Sequence, residues 1–202
     1  MLILCSNGLT SNRLIEAVSP FICNDGMAAL VVTADYEYKD KNYHVPRCTN
    51  ELRALGLSVE LFDLDVSAAK QLLSYDVVEF IGGNPFYLLD SIRRHNAADT
   101  LREVARKNVL IGWSAAAFVF GPSLELVNQY SPEMNFMGLA DLTAASLTTI
   151  CVLPHYDRFL YRFDQFEEKC QKFEAEHGCQ VIRMNDGDGV LIQDNQTTIV
   201  HA

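Results

Sequence analysis

The sequence predicts an α/β fold: a mostly parallel sheet with helices on both faces and antiparallel hairpins at its C-terminal end. Three observations predict it. Short aliphatic or β-branched runs recur along the chain, segments with helical spacing separate them, and from Gln180 the pattern changes to short strands divided by turns. Near-continuous apolar strands alternating with amphipathic helices indicate parallel pairing, because a parallel strand needs a crossover and the crossover helix hides one face of the sheet.

Taken in order, the strand-like runs are Leu2 to Cys5, Ala28 to Thr33, Val59 to Phe62, Val77 to Ile81, Val109 to Ile111 and Ile150 to Leu153. The helical spacings are Arg13 to Ile22, Val66 to Tyr75, Phe86 to Arg94 and Thr100 to Arg106. In the tail, Val181 to Met184, Val190 to Gln193 and Thr197 to Val200 are divided by Asp186-Gly187-Asp188-Gly189 and by Asp194-Asn195, the chemistry of hairpin turns. No repeat or break in composition divides the chain, so residues 1–202 read as one domain.

Composition narrows the function. The chain has 202 residues, 49% apolar and 21% charged, with 16 Lys+Arg against 26 Asp+Glu, which is the balance of a globular protein. A net charge of -10 without a basic stripe argues against a nucleic-acid partner. The six cysteines are scattered without C-x-x-C spacing and are expected to be reduced. The apolar opening lacks the basic flank of a signal peptide, and Val109 to Phe120 is too short to span a bilayer, so a cytoplasmic location and no membrane partner are expected.

In open α/β sheets ligands bind beyond the carboxyl ends of the strands. Three segments place unusual chemistry there. Val109-Leu110-Ile111-Gly112-Trp113-Ser114-Ala115-Ala116-Ala117 runs from a strand through a small-residue turn into a helix-compatible segment, with Ser114 at the bend. A nucleophile elbow needs this arrangement, because the tight turn pushes a hydroxyl out of the sheet and the following helix N-terminus favours developing negative charge. A buried serine in a tight turn fits the same pattern. Gly82-Gly83-Asn84 follows another strand, where the glycines can expose backbone N–H groups and form an oxyanion hole with the N–H of Ala115. An ordinary turn with an Asn helix cap is the alternative. His155 follows Ile150 to Leu153, and it alone among the five histidines sits at a strand's carboxyl end, where a base can take the Ser114 proton. Asp157, Asp186 and Asp188 are the carboxylates available to orient it.

Gly82-Gly83-Asn84-x-Phe86-x-Leu88-Leu89, then Gly112-Trp113-Ser114-Ala115, then Pro154-His155 resemble, in this order and spacing, the peptidase E and cyanophycinase family of serine peptidases. The resemblance implies a fold related to class I glutamine amidotransferases and hydrolysis of short peptides through an acyl-enzyme. It implies Ser114 as nucleophile, His155 as general base, and Gly83 and Ala115 as oxyanion donors. The acid of the family is a glutamate in a late glycine-containing loop; Asn185-Asp186-Gly187 is the nearest match, which selects Asp186, one methylene shorter. No metal or organic cofactor is implied. The expected partner is a short peptide, and a homodimer is left open.

Three positions depart from the family pattern: Ile81 stands for its first glycine, Pro85 for a threonine and Ala116 for the last elbow glycine. They motivate an alternative, a non-catalytic relative that binds a small ligand or protein. The arginine motif by which the aspartyl dipeptidases of the family hold an acidic side chain is absent. Arg158 and Arg162 are the candidates to replace it, with Asn84 as a further substrate-binding candidate, and two solvated arginines are the alternative.

Overall fold

Among the described residues, nine strands divide between two sheets. In this computed structural model the described residues are 1–194 and 196–202; Asn195, half of the expected Asp194-Asn195 turn, lies outside them. The strands are β1 (Leu2–Cys5), β2 (Met27–Val31), β3 (Ser58–Phe62), β4 (Val77–Phe80), β5 (Val109–Trp113), β6 (Cys151–Leu153), β7 (Val181–Arg183), β8 (Gly189–Gln193) and β9 (Gln196–Val200). The main sheet runs β3-β2-β4-β5-β1-β8-β9, with its first five strands parallel and β8 and β9 antiparallel.

Every residue of β1, β4 and β5 is buried, which explains their continuous apolar reading. One face is covered by α1 (Asn12–Val18) and α2 (Val45–Ala54), through Leu14, Val18, Val45, Cys48 and Leu52. The other is covered by α3 (Pro85–Arg94), α4 (Ala98–Lys107), α5 (Ala115–Phe120), α6 (Glu125–Tyr130) and, past the single turn α7 (Tyr156–Phe159), by α8 (Phe166–His177).

Three expectations need correction. The helix expected over Arg13 to Ile22 ends at Val18, and Pro20 starts a 3₁₀ turn over Ser19–Phe21. Val66 to Tyr75 is not an α-helix: a 3₁₀ stretch spans Ala69–Ser74, and its two buried residues, Ala69 and Leu72, follow the three-residue period of that helix. The tail forms one hairpin, β8 with β9, because β7 pairs in parallel with β6 in a separate two-stranded sheet. Helix α8 supplies the crossover such a pair requires. Arg183 of β7 clamps it, reaching Glu167 at 2.9 Å and Glu174 at 2.6 Å on α8.

Candidate active site

The carboxyl ends of β1, β2, β4 and β5 open into one crevice, and the end of β6 faces it. At the end of β5 the backbone turns sharply, and Ser114 takes φ 52° and ψ −111°, a conformation rare outside glycine. Packing holds it there: the Ser114 N–H donates to the Cys5 carbonyl at 3.2 Å, and α5 starts at the next residue. Gly112 lies against Phe120, where an added Cβ would come within 2.5 Å of the ring. Ala116 is fully buried in the core, so the extra methyl is accommodated.

Gly83 is a glycine for a steric reason. It has φ 155°, and a Cβ would stand 2.3 Å from the Ala34 carbonyl oxygen. Its N–H donates to no group among the described residues. The N–H of Ala115, first in α5, has no intrahelical acceptor. Asn84 caps α3: its Oδ1 accepts from Phe86 and Tyr87, and its Nδ2 donates to the Met134 carbonyl at 2.8 Å. Pro85 takes the first helical position, which suits a residue without an N–H. Ile81 is buried in the sheet layer facing α1 and α2.

His155 adopts a left-handed conformation at φ 58° and is 8% exposed. Its Nδ1 lies 2.6 Å from Asp186 Oδ1, so an Nδ1 proton is held by the carboxylate and Nε2 is left as acceptor. The shorter reach of an aspartate is therefore sufficient here. Asp188 turns elsewhere, accepting from the N–H groups of Asn185 and Ala202 and lying 3.2 Å from His201. Asp157 makes no hydrogen bond to His155. Burial lowers the His155 pKa below its ordinary value despite the opposing pull of Asp186. Burial works against the Asp186 charge, but the hydrogen bonds and charges of His155 and Arg158 exceed it and lower its pKa. Neutral imidazole beside ionised carboxylate is thus the resting pair.

Ser114 and His155 line one cavity of about 640 Å³, and no hydrogen bond joins their side chains. Arg158 donates to Asp186 Oδ2 at 2.8 Å while its side chain stays 58% exposed, leaving donors for a ligand. Arg162 stands over the Phe163 ring at 5.2 Å and also lines the cavity.

Other residues reach the site without a role assigned to them from the sequence. The Ser6 hydroxyl accepts from the His155 N–H at 2.9 Å and donates to Asp186 Oδ1 at 3.1 Å, tying β1 to both. It sits at a strand's carboxyl end, the same signal that marked His155. The loop Tyr36 to Pro46, whose tyrosines read in the sequence either as a pocket cover or as ordinary surface, borders the cavity with Tyr36, Tyr38, Tyr43 and His44, and Arg47 of α2 lies 5.3 Å over the Trp113 ring. As potential metal donors, Cys48, Glu51 and Glu79 bring ligand atoms within 4.8 Å of one another under this floor. Burial pushes the Cys48 thiol well up and the Glu79 carboxyl up to about 8, so both hold their protons near neutrality.

A strained serine at a strand-to-helix bend, opposite a histidine paired with an aspartate on an open α/β sheet, defines a serine-type hydrolase. More narrowly, the chain belongs to peptidase family S51, whose sequence model matches residues 2–200. It is 25% identical to an uncharacterized peptidase of Listeria monocytogenes, over 78% of each chain. It is 25% identical to the peptidase E of a Shewanella species, over 75% of this chain and 67% of that one. A protein of Drosophila melanogaster named a probable alpha-aspartyl dipeptidase is 23% identical, over 84% of this chain and 72% of its own. In fold, the chain resembles a crystal structure from Listeria monocytogenes assigned to peptidase E, with a TM-score of 0.78 over 100% of this chain and 98% of that one at 23% identity. No helix among the described residues is long and apolar enough to cross a membrane.

Proposed function

We propose that the chain, acting as one unit over residues 1–202, is a cytoplasmic exopeptidase that hydrolyses short peptides through Ser114, His155 and Asp186. The observation that carries the reading is the His155–Asp186 pair at 2.6 Å on the cavity into which the strained Ser114 opens. Ser114 Oγ attacks the scissile carbonyl as His155 Nε2 takes its proton, and the N–H groups of Gly83 and Ala115 hold the oxyanion. The C–N bond then breaks, His155 hands the proton to the leaving amine, and an acyl-enzyme remains. Water attacks the ester, His155 removes its proton, and Ser114 is released. Asp186 keeps the ring oriented and stabilises the imidazolium, and Ser6 and Arg158 hold Asp186.

Arg158 and Arg162 add local positive charge in a protein of net charge -10, which suits the carboxylate of a short peptide. The chemistry assigned to these residues draws on no metal or organic cofactor. Hydrolysis of a dipeptide panel by wild type and Ser114→Ala tests the reading. Turnover by wild type and its loss in the variant is expected; equal turnover in both removes Ser114 from the mechanism. A folded wild type that turns over nothing and is not labelled by a fluorophosphonate supports the non-catalytic binder.

A further inference from the structure

Two recesses meet at Ser114. The larger, of about 640 Å³, holds His155, His44, Arg47 and Arg158. The smaller, of about 240 Å³, is lined beyond their shared border by Ala115, Phe118, Val127, Tyr130 and Phe163, with Glu133 at its rim. Gly83, Met134, Phe159 and Arg162 border both.

We propose that the smaller recess receives the side chain of the substrate residue that supplies the scissile carbonyl, and that this residue is aliphatic or aromatic. The proposal rests on the serine-peptidase reading above and names its substrate class. The catalytic groups set the polarity of the crevice. Ala115, whose N–H is an oxyanion donor, lines only the smaller recess, and His155, which protonates the leaving amine, lines only the larger. A carbonyl with its oxygen between Gly83 and Ala115 and its amine toward His155 therefore carries its own side chain into the smaller recess. The leaving residue falls into the larger one, where the exposed Arg158 meets its carboxylate.

The walls then select the side chain. Phe118, Val127 and Tyr130 are buried core residues, and the rings of Tyr130 and Phe163 lie 4.9 Å apart. The volume falls below the roughly 300–1,000 Å³ of sites that enclose a whole drug-sized ligand, which suits a single side chain. An acidic side chain would meet Glu133. The hydrogen bond from Ser131 Oγ, at 2.5 Å, lowers the Glu133 pKa and favours its ionised form. The one cation on that wall, Arg162, is placed over the Phe163 ring.

Diphenyl 1-aminoalkylphosphonates bearing the side chains of Phe, Leu, Ala and Asp test this directly. Each forms an Oγ–P bond at Ser114 and expels phenoxide, the serine proton passing to His155, and intact mass follows the rate. The Phe and Leu compounds are expected to react at least about tenfold faster than Ala, with Asp slowest. Met134→Trp, which narrows the recess, is expected to erase the Phe-over-Ala ratio. Phe163→Ala provides a second variant on the same wall, expected to change that ratio, should the first fail to fold. The proposal is overturned by fastest reaction with Asp, by rates independent of side chain, or by ratios that neither variant changes. Silence toward all four compounds while a small fluorophosphonate labels Ser114 also overturns it. Silence toward the fluorophosphonate as well removes the serine-peptidase reading, and this proposal falls with it.

Discussion

The two sides of the crevice are built by different physics. Ser114 hangs from β5, which lies between β4 and β1 in the middle of the main sheet, and its unusual backbone angles are held by close packing. His155 and Asp186 follow β6 and β7, a pair of three-residue strands anchored in the core by Val152, Leu153 and Val181, and the two functional groups are then set by ionic and polar ties: Arg183 to α8, Ser6 to both, and Arg158 to Asp186. A nucleophile needs a rigid direction, which a sheet interior provides. The base and acid need a controlled charge environment, which side chains near the surface supply. The comparison predicts that electrostatic changes act mainly on the second side.

The largest expected effect comes from Asp186→Asn. The wrong tautomer and the lost stabilisation of imidazolium lower kcat by roughly 10³–10⁴-fold, with the Ser114 backbone unchanged. With neutral His155 as the proposed base, activity falls as pH drops through its pKa, and burial places that limb below the ordinary histidine value near 6.5. Asp186 raises the His155 pKa, so the variant's limb moves further down in a pH–rate profile. A limb that stays in place contradicts the pairing.

Next comes a carboxyl buried in the packed side. Glu79 on β4 is fully buried, and neither carboxylate oxygen has a hydrogen-bond partner among the described residues. Burial first, and the charge of Glu51 second, raise its pKa to about 8. Unfolded Glu ionises above about 4.3, whereas the folded state keeps the proton until near 8, so stability present at pH 4 is lost as pH rises across that window. Glu79→Gln removes this loss, and its melting temperature should exceed wild type by more at pH 9 than at pH 5, by on the order of a few kcal/mol of stability. A pH-independent difference breaks the assignment.

The third effect is smaller in energy and confined to the other side. Arg183→Met strips two partly buried carboxylates, Glu167 and Glu174, of their cation and should cost about 1–3 kcal/mol. That corresponds to roughly 2–4 °C in melting temperature per kcal/mol for a chain of this size. It should also slow turnover by loosening β7, and hence Asp186. Fluorescence melting and dipeptide kinetics check both; unchanged kinetics show that the clamp does not position Asp186.

The same contrast governs what could be read from the chain itself. The nucleophile side was legible because it is local: a buried strand, a small-residue turn and a helix start follow one another from Val109 to Phe120. The other side is long-range. Runs as short as β6 and β7 carry no signal for their partner, so β7 reads as a hairpin arm although it pairs with β6. Helix α8 leaves a trace in Phe166, Cys170 and Phe173, spaced by four and three, and that spacing between two strand-like runs signals a crossover. Asp186 was reachable only through the resemblance, because choosing among three aspartates depends on which loop β1 and β8 bring against His155. Ser6 carries the local signal of a strand's carboxyl end, but its partner lies 149 residues away, which that signal does not specify.

The central claim is that a hydroxyl set by packing is activated by an imidazole set by polar contacts. The direct measurement is fluorophosphonate labelling of wild type and His155→Gln, with the modified residue located by peptide mapping. The account predicts label on Ser114 in wild type and a rate lower by on the order of 10³-fold or more in the variant. Equal rates in the two proteins, or label on another residue, would contradict it.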